Sequence, residues 1–133
     1  MSKKISVAIL GSTGYVGLEL VKILSKHSNV DIVFLGTEKS PNLPIQKLDP
    51  SIDSLSIPNT QLNKDFDCNI ADTVFLALPH SVSHEYVKLF YDKIQIIDLS
   101  ADFRLDDYEI YKENYGTNHS CPTLLKDFIY GLP

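Results

Sequence analysis

The sequence is short of several things, and each shortage narrows what the chain can be. Only two cysteines occur, Cys68 and Cys121, without any C-x-x-C spacing. Neither a zinc cluster nor a disulfide framework is indicated, and both read as reduced structural thiols. No apolar stretch approaches the roughly 20 residues that span a bilayer. The run Ile5 to Leu10 after Lys3-Lys4 is broken by Ser6 and too short for a signal peptide. The expectation is a cytoplasmic chain without a membrane partner. Basic residues are in deficit, with 12 Lys+Arg against 17 Asp+Glu and a formal charge of -5. That balance removes the electrostatic basis for general nucleic-acid binding. Arginine occurs once, as Arg104. An anionic ligand must therefore be held by a local arrangement of groups.

What is present fits one ordinary domain. The 133 residues are 44% apolar and 22% charged, a composition typical of globular proteins. A chain of this size buries roughly two-thirds of its unfolded surface. Lys4 to Leu10 (KISVAIL) reads as a buried strand, and Tyr15 to His27 as a helix with Val16, Leu20, Val21, Ile23 and Leu24 on one stripe. Val30 to Leu35 reads as a second strand. The prolines at 41, 44, 50 and 58 make Ser40 to Asn63 a loop with at most short strands. Asp72 to Leu78, stopped by Pro79, reads as a strand, Val82 to Tyr91 as a helix capped by Ser81 or Ser83, and Ile94 to Leu99 as another strand. Asp102 to Pro133 has no clear period. Strands alternating with helices predict an α/β fold, a Rossmann-type doubly wound and mostly parallel sheet, as one domain over residues 1–133.

Gly11-Ser12-Thr13-Gly14-Tyr15-Val16-Gly17 follows the first strand and opens the first helix. In that setting Gly11 makes the tight turn, Gly14 admits a pyrophosphate to the backbone, and Gly17 lets the helix approach the sheet. The helix start adds unpaired N–H groups and about half a positive charge. The end of the second strand selects the cofactor. Thr37, Lys39 and Ser40 fit the 2′-phosphate of NADP, whereas Glu38 fits the free ribose of NAD; the count of partners favours NADP. Leu78-Pro79-His80 leaves a strand at the edge where such sheets bind ligands, so these three are candidate cofactor contacts. His80 and His84 have a metal-compatible spacing but no third ligand nearby, and no metal is expected. Ser100 and Arg104, in DLSADFR, leave the next strand at the same edge. Arg104 suits an anionic substrate by bidentate bonding, or else pairs locally with Asp102, Asp106 or Asp107.

The segments VAILGSTGYVGLELVKIL, VFLALPHSVSHEYV, IIDLSADFRLDDYEIYKENYG and YGLP together resemble N-acetyl-gamma-glutamyl-phosphate reductases of arginine biosynthesis. The resemblance spans most of the chain and is poorest from Pro41 to Asn69. It implies an NADP domain of a homo-oligomeric enzyme that reduces a small-molecule acyl phosphate through a cysteine thioester. It also implies that Ser100 and Arg104 face the substrate. The nucleophile of such enzymes lies in an N-P-G-C type motif beyond YGLP, which neither Cys68 nor Cys121 has around it. No catalytic residue is therefore assigned, and the chain is expected to be the cofactor part of a longer enzyme, with the substrate and dimerisation domain absent. Related lysine-pathway reductases, aspartate-semialdehyde dehydrogenases and a free-standing nucleotide-binding module are the alternatives.

Overall fold

A computed structural model describes residues 4–52, 56–79 and 82–99. Strand β1 (Ile5–Leu10) lies at the centre, with Val7, Ala8, Ile9 and Leu10 all buried, as a strand covered on both faces must be. Helix α1 (Tyr15–Ser25) ends two residues short of the expected His27, where the amides of Lys26 and His27 turn back onto Ile23 and Leu24. Strand β2 (Val30–Thr37) runs past Leu35 because Gly36 and Thr37 pair with β3 (Thr60–Leu62). Among the described residues of the proline-rich stretch before β3, a short 3-10 turn at Ile45–Lys47 buries Ile45. Strand β4 (Thr73–Leu76) stops ahead of Pro79, followed by α2 (Ser83–Phe90) and β5 (Gln95–Asp98).

Every strand pair is parallel, and the order is β3-β2-β1-β4-β5. The chain therefore leaves β1 toward β2 and β3 on one side and crosses back from β3 to β4 on the other, and the carboxyl ends of β1 and β4 flank the resulting crevice. At the opposite, amino end, Asp72 holds Ser6 by a backbone and a side-chain hydrogen bond of 2.8 and 3.0 Å.

Two cores flank the sheet. Val7, Ile9, Ile32, Leu35, Ile45 and Ile52 pack with Val21 of α1 on one face. Ala8, Leu10, Phe34, Phe66, Val74, Leu76 and Leu78 pack with Val87 and Phe90 of α2 on the other. Phe66 joins two layers of that second core, its ring 5.1 Å from Phe34 and 5.3 Å from Phe90. Strand β2 changes face on the way. Val7 lies opposite Ile32 but Ala8 opposite Phe34, so Val33 is an extra residue in the ladder. Ile32 consequently faces α1, Phe34 faces α2 and Leu35 faces α1 again. Among the described residues no helix is long and apolar enough to cross a membrane.

Candidate functional site

The turn after β1 forms because Gly11 adopts φ +78°, a left-handed conformation that a side chain disfavours. A Cβ there would also strike the Ala77 carbonyl, since β4 extends alongside and Ala77 N donates to Leu10 O at 2.9 Å. The chain then turns into α1. Gly17 is buried and tight: a Cβ on it would meet the Gly11 carbonyl and lie 2.7 Å from Ser12 Cα. Gly14 differs. A Cβ at that position would find only Gly11 O, at 3.9 Å.

Gly14 is the N-cap of α1, with no side-chain cap and no acidic residue in the first turn. The leading amides of the helix thus lack an internal neutralising partner, and they begin at the carboxyl edge of the sheet. Tyr15 and Val16, on the first turn, are 94% and 57% exposed. A glycine with free space beside it, followed by an uncapped helix start, makes a cradle for a phosphate or diphosphate.

Several residues expected to touch the cofactor also support this loop. Ser12 is fully buried, and both its amide and its hydroxyl donate to Gly36 O at 2.8 Å. Thr37 is 1% exposed. Its hydroxyl lies 3.0 Å from that of Thr13 and accepts from Ser40 N at 3.3 Å. The Thr37 oxygen is thus held between the glycine loop and the next turn. Glu38 and Lys39 are exposed and Ser40 is half-buried, so these three remain available. Leu78 belongs to the α2-side core and packs beneath Gly11, whereas Pro79 is exposed.

Capping of α2 by Ser83 does not occur. The N-cap is Val82, without a side-chain hydrogen bond, while the buried Ser83 hydroxyl donates to Asp98 Oδ2 at 3.4 Å, tying α2 to the end of β5. Also on α2, burial first, and then the charges of Glu85 and Glu38, hold the Tyr86 phenol above its ordinary pKa. His80, Ser81, Ser100, Arg104 and Cys121 lie outside the described residues, as does the side chain of His84. Among the described residues no three His, Cys, Asp or Glu side chains gather as a metal site.

One participant had no sequence signal. Asn63 is 6% exposed and follows β3. Its Oδ1 accepts from Gly11 N at 3.1 Å, across 52 residues of chain. It fills the space that a side chain on Gly36 would need.

Residues 6–133 match the family described as "Semialdehyde dehydrogenase, NAD binding domain". The chain is 46% identical over 134 residues to an N-acetyl-gamma-glutamyl-phosphate reductase of Ehrlichia chaffeensis, covering 99% of this chain and 38% of that protein. It is 44% identical over 131 residues to a LysW-L-2-aminoadipate/LysW-L-glutamate phosphate reductase of Sulfurisphaera tokodaii, covering 97% of this chain and again 38% of the relative. The chain therefore spans well under half the length of these curated relatives. Its fold is similar to an aspartate semialdehyde dehydrogenase of Candida albicans solved with NADP, at a TM-score of 0.65 and 17% identity, covering 96% of this chain and 42% of that one.

Proposed function

Since the chain belongs to the semialdehyde dehydrogenase NAD-binding domain family, we propose that its glycine loop holds the diphosphate of NADP in an enzyme that reduces N-acetylglutamyl 5-phosphate to the semialdehyde. The observation that carries this reading is the uncapped, acid-free start of α1 beside the open face of Gly14. Donors fixed in place before the ligand arrives stabilise a diphosphate without the cost of ordering them on binding. When bound, the dinucleotide supplies a hydride. The chain's own residues orient it: the loop amides are assigned to the diphosphate, and Lys39 and Ser40 to the adenosine end of the crevice. Lys39 brings the charge that a 2′-phosphate requires, and Ser40 a hydroxyl. Ser100 and Arg104 are assigned to the substrate, Arg104 by bidentate bonding to its phosphate. His80 and Pro79 are assigned to the cofactor edge after β4.

Residues 1–133 are, in this proposal, the cofactor domain of a cytoplasmic, homo-oligomeric enzyme of arginine biosynthesis, whose nucleophile is not among these residues. The 44% identity to the LysW-linked reductase supports a second reading, the same chemistry on a carrier-linked acyl phosphate. Calorimetric titration of the chain with NADPH and NADH tests the cofactor assignment, with saturable NADPH binding expected. Arsenate-dependent oxidation of N-acetylglutamate semialdehyde by the full-length protein, compared with the carrier-linked aldehyde, separates the two substrates. Absence of NADPH binding by the chain would sink the first reading at its root.

A further inference from the structure

We propose that Asn63 is a positioning residue for dinucleotide binding, setting the glycine loop in its phosphate-accepting shape from the far side of the sheet edge. The inference rests on the reading of that loop as the diphosphate site. Gly11 is the hinge of the loop, and its left-handed φ of +78° fixes the direction in which α1 departs. The conformation of a glycine is weakly held by its own sterics. Something outside the turn must select it. Two contacts do so at Gly11: the Ala77–Leu78 backbone and side chain packed beneath its Cα, and the carboxamide of Asn63, whose Oδ1 takes the Gly11 N–H at 3.1 Å.

Asn63 is itself fixed. It is 6% exposed and starts a 3-10 turn closed by Phe66 N donating to its own carbonyl at 3.2 Å. Phe66 is anchored between Phe34 and Phe90. The carboxamide oxygen also lies where a Gly36 side chain would stand, and Gly36 O is the acceptor for both Ser12 donors. The bare Cα of Gly36 thus opens the channel through which Asn63 reaches the loop. Removing the acceptor leaves the partly buried Gly11 N–H unpaired and frees the turn to move. A ligand that needs the loop amides in register then binds less well, whereas a ligand that touches only the adenosine side does not.

The test uses Asn63→Leu, which keeps the branched side-chain shape without an acceptor, and Asn63→Ser, which is too short to reach. Circular dichroism and urea unfolding show which variants are folded, and either folded variant decides. Titrations with NADP, NAD and adenosine are compared. The expected result is a dinucleotide Kd raised by about tenfold, in line with the loss of one partly buried hydrogen bond, with the adenosine Kd unchanged. Gly36→Ala, whose methyl presses on the Asn63 oxygen and also on Leu10, is expected to weaken dinucleotide binding in the same way. A folded Asn63 variant with wild-type dinucleotide affinity overturns the proposal, as does an equal loss for adenosine. Failure of the wild-type chain to bind any dinucleotide overturns the assignment of the loop as well, and is distinguished by being seen before any substitution.

Discussion

The hydroxyls of Thr13 and Thr37 meet at 3.0 Å, joining the glycine loop, proposed to hold the phosphates, to the end of β2, proposed to read the ribose. The same Thr37 oxygen accepts from Ser40 N, so the turn Glu38–Ser40 is pinned to the glycine loop rather than hanging from β2. Thr37→Val is therefore expected to lower stability by about 1–2 kcal/mol, the usual effect of stripping a buried donor–acceptor site of its partner. Urea denaturation measures this. An unchanged midpoint would mean that the hydroxyl pair is not maintained in solution.

Gly14→Val and Gly17→Ala are expected to fail in opposite ways. The Gly14 Cβ direction is open and its extended backbone, at φ -83° and ψ 176°, suits a valine. That variant is expected to stay folded and to bind NADPH at least about tenfold more weakly, because the added side chain fills the space of the diphosphate. At Gly17 even a methyl collides with the Gly11 carbonyl and crowds Ser12. Overpacking of this kind typically destabilises by about 1–3 kcal/mol. Thermal melts paired with titrations distinguish the two, and a Gly14→Val chain that binds normally would remove the diphosphate from this loop.

In the proposed preference for NADP over NAD, with the Thr37 hydroxyl held in internal contacts, Lys39 and Ser40 stand against the carboxylate of Glu38. Lys39→Ala is expected to weaken NADP by about tenfold, the scale of one charge-assisted contact, and to leave NAD within about twofold, since NAD carries no 2′-phosphate for it to meet. Glu38→Gln is expected to favour NADP further by lifting a repulsion. Dissociation constants measured at one fixed ionic strength decide this, and parallel losses for both cofactors would show that Lys39 does not reach the 2′ position.

Cys68 sits in a short 3-10 turn, Cys68–Ile70, that leads into β4 at the amino end of the sheet. The glycine loop opens at the carboxyl end. Cys68→Ser is accordingly expected to leave NADPH affinity unchanged, and residues 1–133 assayed alone are expected to bind cofactor without reducing N-acetylglutamyl phosphate. Holding an acyl group against the reacting centre supplies up to roughly 7–11 kcal/mol of barrier reduction, so its absence leaves no modest residue of rate. NADPH oxidation followed by absorbance is the assay. Turnover abolished by Cys68→Ser would make that thiol a nucleophile and contradict its position.

The elements that local chemistry dictates were legible before the structure. β1, α1 and the glycine turn are written in consecutive residues, and a parallel sheet follows from strands separated by helices. Asn63 was not legible, because its role depends on a contact across 52 residues and it stands in a proline-rich stretch whose three-residue strand leaves no periodic trace. Ser83 was misread for a related reason. A serine at a helix start looks like a cap, and only its burial against Asp98 reveals the other use. Thr37 was visible as a polar residue at the right strand end, but which face it presents depends on the bulge upstream.

That bulge acts as a phase shifter for the crevice. Ahead of Val33 the even-numbered Ile32 serves the α1 layer, while beyond it the odd-numbered Leu35 does. Thr37 shares the parity of Leu35 and reaches Thr13; Gly36 shares that of Phe34 and turns its bare side to Asn63. Were Val33 instead paired as an ordinary ladder residue opposite Ala8, composition and hydrophobicity would be untouched, yet the remainder of the strand would be inverted. Phe34 would be driven among the aliphatic side chains around α1, and the threonine and glycine would trade sides. The reading frame of one strand's two faces thereby determines which half of the nucleotide cradle each of its last residues can build.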